Sequence, residues 1–273
     1  MLVALIVPTF LVQQYPIFKD NHAYNHLITA TLIAIIVVFG IWYLRSRLDK
    51  GTPSKIGLTK LPTAITHIFI GIGFVLIPLV LTLLISTSFN WADFSFNANK
   101  TILLTFLIGL VSTFFTDALS EELIFRGYIF SNLNEHYNIL KSSLITLVVF
   151  VITPIIIITI QNTLSISGSV PLSGGYVITL IFFGAFMQYL RVIFKSIWVG
   201  VGFHLVFVHM NQLMGTTSDK LLQFSETSNQ QPVQITLAIL LIIVFLSLII
   251  YPLLKRRKIK KLEAETLSQQ TDN

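Results

Sequence analysis

Three charged side chains stand close together in a segment that is otherwise apolar. Glu121, Glu122 and Arg126 lie in a hydrophobic stretch that begins near Ile102, and Asp117 precedes Glu121 by about one helical turn. Charge at membrane depth is costly, so ionisable residues inside an apolar span are candidates for function. A positioned carboxylate can activate a water molecule as a general base. The same charges could instead form an ion-paired cluster that holds a helix bundle together.

The spacing separates these residues into two pairs. Glu122 and Arg126 are four positions apart with the acid first, the favourable order for an ion pair on one helix face. We predict that this pair fixes the position of the Glu122 carboxylate in either interpretation. Asp117 and Glu121 are also four positions apart, on a neighbouring face. Two like carboxylates this close should raise the pKa of one of them, which suits a general base for water activation.

The elements that must hold these residues are membrane-spanning helices. Of the 273 residues, 54% are hydrophobic and 11% are charged, about half the charged fraction of a soluble domain. The mean hydropathy of +0.80 agrees, and the composition predicts an all-α, polytopic transmembrane bundle. There is no cysteine, which excludes disulfides and thiolate chemistry.

A spanning helix needs about 20 mostly apolar residues. By this measure we predict about eight spans, or seven if the first, which Pro8 and Pro16 interrupt, does not cross. The predicted spans are Met1–Phe18, His26–Leu44, Leu61–Ser86, Ile102 to beyond Phe130, Leu140–Ile160, Tyr176–Ile193, Ile197–Met214 and Val233–Leu254. The fourth is too long to be only a span, and we predict that it continues past the bilayer as a helix through Leu133.

The distribution of lysine and arginine predicts how the chain lies in the membrane. Basic residues follow the second, fourth and sixth spans and form a run at 255–261, whereas the other loops hold few. Since cytoplasmic loops carry the excess of basic residues, we predict a multi-pass protein of the cell membrane with both termini cytoplasmic. These anchors account for the net charge of +6. We therefore predict the lipid bilayer, and no nucleic acid, as a partner.

Histidine is the residue type that would complete a hydrolytic site. Among the six histidines, His204 lies about eight residues into the seventh span, roughly 12 Å at about 1.5 Å per residue. Glu121 lies at a similar distance from the inner end of its own span, so the two can meet at one depth. His209 points to a different helix face, and a lone intramembrane histidine such as His67 is more often a packing residue.

The segment Glu121–Gly127 carries a family resemblance. Its letters E-E-L-I-F-R-G match the E-E-x-x-x-R-G motif of the CAAX-protease and bacteriocin-processing (CPBP, or Abi) intramembrane proteases. The segment Trp198–His204 resembles the third motif of that family, and it follows Glu121 by about 80 residues. The resemblance covers residues 100–215. It implies three parts: N-terminal transmembrane helices and a basic linker at 1–99, the CPBP-like catalytic core at 100–215, and a C-terminal transmembrane helix with a basic cytoplasmic tail at 216–273.

The resemblance also implies roles for four residues. Glu121 resembles the general base that activates water, and Glu122 with Arg126 resembles the pair that holds the site in shape. His204 resembles the histidine that orients the water or the substrate carbonyl, or binds a metal. The implied reaction is hydrolysis of a peptide bond within or near the membrane, and family members cleave prenylated C-terminal tails, leader peptides or membrane proteins.

Two positions depart from the family pattern. The second motif, F-x-x-x-H, has its counterpart in Phe150–Pro154, where proline stands in place of the histidine. The third motif places an asparagine or aspartate four residues after its histidine, and here that residue is Val208. Asn211 lies on the His204 face but one turn too far. Removing one oxyanion donor typically costs about 10²–10³ in rate.

Two main interpretations therefore remain open. The first is an intramembrane endopeptidase that cleaves a peptide or membrane protein with a Glu-activated water. The second is a catalytically inactive member that acts as a membrane binding partner, regulator or immunity protein; a small transporter is the weaker third, because no internal repeat is found. The cofactor stays undetermined: a divalent metal at Glu121 and His204 would lack the three protein ligands usual for catalytic zinc.

Overall fold

The structure is a computed structural model that describes residues 22–49, 56–91, 93–97, 99–163, 172–215, 217, 220–224, 239, 241–243 and 246. These residues are mostly helical, as predicted. The long helices are α1 (His22–Tyr43), α2 (Leu61–Ser88), α3 (Lys100–His136), α4 (Ile139–Thr163), α5 (Gly174–Phe194) and α6 (Trp198–Leu213).

Five helices in the described part of the chain are long and apolar enough to cross a membrane. The first is Leu27–Arg47, which comprises most of α1 and continues into a π-helical turn (Leu44–Leu48). The other four are α2, α3, α4 and α5. Helix α6 is apolar but shorter. The predicted count of about eight spans is not confirmed. Met1–Phe18 lies outside the described residues, and so does most of Val233–Leu254.

The contacts divide the chain into two units. One comprises Met1–Val75 and Phe94–Ser225, and the other comprises Leu76–Asp93 and Glu226–Asn273. All candidate site residues lie in the first unit. Within it, a small sheet adds to the predicted all-α architecture: β1 (Phe94–Phe96), β2 (Met214–Gly215) and β3 (Leu222–Phe224). Strand β3 lies in the middle, antiparallel to β1 and parallel to β2, so it joins the segment before α3 to the end of α6.

Helix α3 changes its winding twice around the charged motif. It is π-helical over Phe114–Leu119 and again over Leu123–Ile129, with one α-helical turn, Ser120–Glu122, between them. The wider π turn leaves backbone carbonyls to be satisfied by side chains, and the Ser120 hydroxyl donates a hydrogen bond of 2.5 Å to the Phe115 carbonyl. π-helical turns inside α-helices occur frequently at functional sites.

Helix α6 is held against α2 by two glycines. A Cβ atom at Gly71 of α2 would overlap the Val199 carbonyl, and one at Gly202 of α6 would overlap the Ile68 carbonyl. Only glycine permits so close an approach of two helix backbones. This contact fixes α6, and with it the depth of His204. Helix α4 continues through Pro154 to Thr163.

Candidate functional site

The predicted ion pair is present in the interior of the protein. The Arg126 Nη1 atom donates a 2.9 Å hydrogen bond to Glu122 Oε1, and both side chains are 1% exposed. A buried charge pair needs good geometry to offset the cost of removing two charges from water. Among the described residues, Glu122 Oε2 and Arg126 Nε have no hydrogen-bond partner, so the contact between Nη1 and Oε1 is the main restraint. The position of the Glu122 carboxylate is therefore set by Arg126.

Arg126 is in turn fixed by two neighbouring helices. Its Nη2 atom donates a 3.1 Å hydrogen bond to the Gly184 carbonyl of α5. Its guanidinium carbon lies 4.3 Å from the centre of the Phe150 ring of α4, a cation–π arrangement. Phe150 is the residue that resembles the phenylalanine of the second family motif. It packs against the ion pair, and Pro154 stands where that motif has its histidine.

His204 lies between the two glutamates. Its Nδ1 atom is 3.3 Å from Glu122 Oε1, and its Nε2 atom is 4.0 Å from Glu121 Oε2. An ionised carboxylate only accepts hydrogen bonds, so we assign the proton to Nδ1, which then donates to Glu122. The edge of the ring also packs against Phe183 at 4.8 Å between ring centres. Glu122 thus orients the imidazole so that Nε2 faces Glu121.

The two adjacent glutamates have different surroundings. The Glu121 side chain is 26% exposed, whereas Glu122 is 1% exposed. The difference follows from their places on the helix, since neighbours in sequence point about 100° apart. Glu121 is therefore the carboxylate of the pair that water or a substrate can reach.

Two residues that the sequence analysis missed shape this site. A Cβ atom at Gly200 of α6 would lie 2.7 Å from Glu122 Oε2, so the glycine makes room for the carboxylate. Arg191 of α5 donates from Nε to the Arg126 carbonyl at 2.9 Å and from Nη2 to Ser131 Oγ at 3.3 Å. Arg191 thereby stabilises the second π-helical segment, Leu123–Ile129. An arginine inside an apolar span was a signal for a functional or structural role.

The other histidines and the replaced positions lie in different settings. His209 is buried and contacts the Phe106 carbonyl at 3.2 Å, which ties α6 to α3. Val208 is 39% exposed and brings no hydrogen-bond donor. Pro154 is half-buried within α4. The side chain of Asn211 lies outside the described part of the structure.

The described residues contain no group of three or more His, Asp or Glu side chains arranged to hold a metal ion. In these residues the site consists of two carboxylates, one imidazole and one guanidinium. Such a set can hold a water molecule, transfer its proton and keep the groups aligned. This is the chemistry of a hydrolytic centre.

The fold and the site define a class: a multi-pass helical membrane protein with a buried Glu–Arg–His cluster. Residues 101–210 match the family model described as Type II CAAX prenyl endopeptidase Rce1-like. The match confirms the predicted resemblance to CAAX proteases, and the four candidate site residues fall within it. It supports a membrane protease and does not support bacteriocin processing. No curated protein and no solved structure matches the chain significantly.

Proposed function

We propose that this protein is an intramembrane endopeptidase that hydrolyses a peptide bond in a peptide or membrane-protein substrate. Glu121 is the general base, His204 orients the water, and Glu122 with Arg126 holds His204 in place. The observation that carries the proposal is the position of the imidazole, with Nδ1 on the buried Glu122 and Nε2 towards the partly exposed Glu121.

The distance between the two facing atoms suits one bound water. Glu121 Oε2 and His204 Nε2 are 4.0 Å apart. A water about 2.8 Å from each would see them at roughly 90°, near its own bond angle. Such a water donates one hydrogen to the carboxylate and the other to the imidazole. Its lone pair is then directed away from both, towards a substrate carbonyl.

The reaction follows in two steps. Glu121 takes a proton from the water as the water oxygen bonds to the carbonyl carbon, and the carbonyl oxygen becomes an oxyanion. Glu121 then passes the proton to the amide nitrogen as the C–N bond breaks. The family description names a prenyl endopeptidase. A prenylated C-terminal peptide is therefore the first substrate class to test.

The substitution Glu121→Gln tests the proposal directly. It keeps the shape of the side chain and removes the base, so we expect cleavage to fall by about 10²–10⁴-fold. The assay follows product release from prenylated and unprenylated peptides and from membrane-protein substrates, with purified protein in lipid. Glu135→Gln is the matched control. It removes another carboxylate of α3, one that pairs with Arg45 in the turn after α1, and it should leave cleavage unchanged. Equal cleavage by Glu121→Gln and wild type would refute the role of Glu121.

A second function is favoured by the two replaced positions. Pro154 and Val208 remove both the second imidazole and the amide of the family pattern, which suits a member that binds another membrane protein or a lipidated peptide without cutting it. Complementation separates the two functions. A Glu121→Gln protein that still rescues the phenotype of a deletion strain, at normal membrane levels, supports binding, and loss of rescue supports catalysis.

We also propose the cell membrane as the location, with both termini cytoplasmic and with the division of the chain at 99/100 and 215/216. The basic residues after alternate predicted spans support this topology. Reporter fusions at residues 54, 168 and 273 test it. Cytoplasmic signals are expected at 54 and 273, and an external signal is expected at 168.

A further inference from the structure

In the proposed reaction the carbonyl oxygen of the substrate becomes negatively charged. The side chains that the family pattern offers to stabilise it are replaced in this chain by Pro154 and Val208. His204 uses Nδ1 on Glu122 and Nε2 on the water, so it has no remaining donor for the oxyanion. Pro154 and Val208 cannot donate a hydrogen bond from their side chains. Since preorganised donors to an oxyanion are often the largest single contribution to such catalysis, an active site of this kind needs another donor.

Helix α5 places a phenol on the required face. Phe183 packs against His204, and the Gly184 carbonyl accepts from Arg126. Tyr176 precedes these two residues by seven and eight positions, which puts it on the same helix face two turns away. Further along α5, Arg191 bonds to the Arg126 carbonyl and to Ser131. Helix α5 therefore runs parallel to α3, and two turns back from Gly184 is the level of Asp117.

Two further observations place Tyr176 at the accessible side of the site. The register of α5 sets it opposite Asp117, about one turn before Glu121 on α3. The side chain is half-buried, as expected at the margin of a site that a substrate enters. Its position in the first turn is fixed, because the Ser173 hydroxyl caps α5 by accepting a 3.1 Å hydrogen bond from the Tyr176 N–H.

We infer that the Tyr176 hydroxyl donates the hydrogen bond that stabilises the oxyanion, in place of the imidazole and the amide that the chain lacks. The inference rests on the proposed endopeptidase function. Tyr176 lies on the α5 face that packs against His204 and, by the register of α5, at the level of Asp117, one turn before Glu121; the inference requires its hydroxyl to reach the substrate carbonyl from there. A tyrosine hydroxyl is a neutral donor, so it can approach a peptide carbonyl without the cost of a further buried charge.

The test compares Tyr176→Phe with the wild type in the peptide-cleavage assay. Phenylalanine keeps the ring and removes only the donor, so we expect kcat to fall by about 10²–10³-fold while KM stays the same. Tyr189→Phe is the matched control. It lies on the same helix but thirteen positions on, roughly 220° round and thus on the other side. It should retain full activity, and both variants should unfold at the wild-type temperature.

The outcomes separate the two proposals. If Glu121→Gln is inactive and Tyr176→Phe keeps the wild-type kcat, the Tyr176 donor is refuted while the endopeptidase stands. If Tyr176→Phe raises KM alone, the hydroxyl binds substrate without stabilising the oxyanion, and the inference also fails. If the wild type cleaves no better than Glu121→Gln, both proposals fall. A drop in kcat for Tyr176→Phe, with Tyr189→Phe unaffected, supports the inference.

Discussion

His204 has two sides that differ in nearly every physical respect. On the Nδ1 side, which we call the buried flank, Glu122 and Arg126 are 1% exposed and hydrogen-bonded to each other, and Arg126 also reaches the α5 backbone. On the Nε2 side, the open flank, Glu121 is 26% exposed and 4.0 Å from the imidazole. Asp117 lies four positions before Glu121 on α3, and Tyr176 is the donor that we infer for this flank. The buried flank fixes the position of His204, and the open flank leaves room for a water molecule and a substrate.

The difference shows how the site can be held in place although Pro154 and Val208 depart from the family pattern. The buried flank depends on contacts with Phe150, Gly184 and Gly200. Pro154 and Val208 contribute none of the hydrogen bonds to Glu122 or Arg126 that the structure describes. Their replacement therefore affects the supply of donors to a substrate and not the scaffold.

The largest effect is expected from breaking the buried flank. Arg126→Met leaves the Glu122 charge buried without its partner, which typically costs about 3–5 kcal/mol. We expect the free energy of unfolding to fall by that amount, measured by SDS titration of the protein in detergent micelles. Arg47→Met is the control, because Arg47 is exposed and its loss should cost less than about 1 kcal/mol. Equal stability of the two variants would show that the ion pair is not the scaffold of the site.

The sequence predicted the ion pair of the buried flank but not the π-helical segments of α3, the helix that carries it. The spacing of Glu122 and Arg126 was enough to predict their ion pair, which is confirmed. The depth estimate brought Glu121 and His204 together, and the structure places them 4.0 Å apart. Both predictions depend on distances along single helices, which are regular enough to compute from position alone.

The sequence did not predict the features that depend on contacts between helices. The π-helical segments of α3 could not be predicted, because apolar residues surround the motif on every side and give no period to follow. Arg191 satisfies the Arg126 carbonyl from another helix, and only the folded chain brings the two together. The strands of two or three residues are too short for an alternating pattern to stand out. Gly200 was visible in the third motif, but its role appears only with the Glu122 carboxylate beside it.

A smaller effect is expected from disturbing the buried flank without removing a charge. In Gly200→Ala, the new Cβ would lie 2.7 Å from Glu122 Oε2, so the carboxylate must shift. Overpacking of this kind costs about 1–3 kcal/mol, and the displaced Glu122 should misalign His204 and lower kcat by roughly tenfold. Gly40→Ala is the control, since nothing lies within 4 Å of a Cβ there. Wild-type kcat and stability in Gly200→Ala would mean that the Glu122 position is not critical.

The smallest effect, and the one that sharpens the comparison most, is expected on the open flank from Pro154→His. Helix α4 turns back along α3 after Tyr137 and Asn138, and Phe150 lies over Arg126. Position 154 is one turn further on, towards the level of the glutamates. A histidine there would restore the second imidazole of the family pattern, and we expect kcat to rise by roughly tenfold, below the usual range of about 10²–10⁴ for a well-placed acid–base group.

Pro154→Leu separates the imidazole from the backbone effect of removing proline. Both substitutions return an N–H to the interior of α4 and should stabilise the helix, but only histidine brings a donor to the open flank. If leucine raises kcat as much as histidine does, the gain comes from the helix and the open flank does not lack a donor. If histidine also restores activity to Tyr176→Phe and leucine does not, the two side chains supply the same hydrogen bond from the neighbouring helices α4 and α5. The open flank would then be a place where either of two side chains can supply the donor, while the buried flank holds His204 in position.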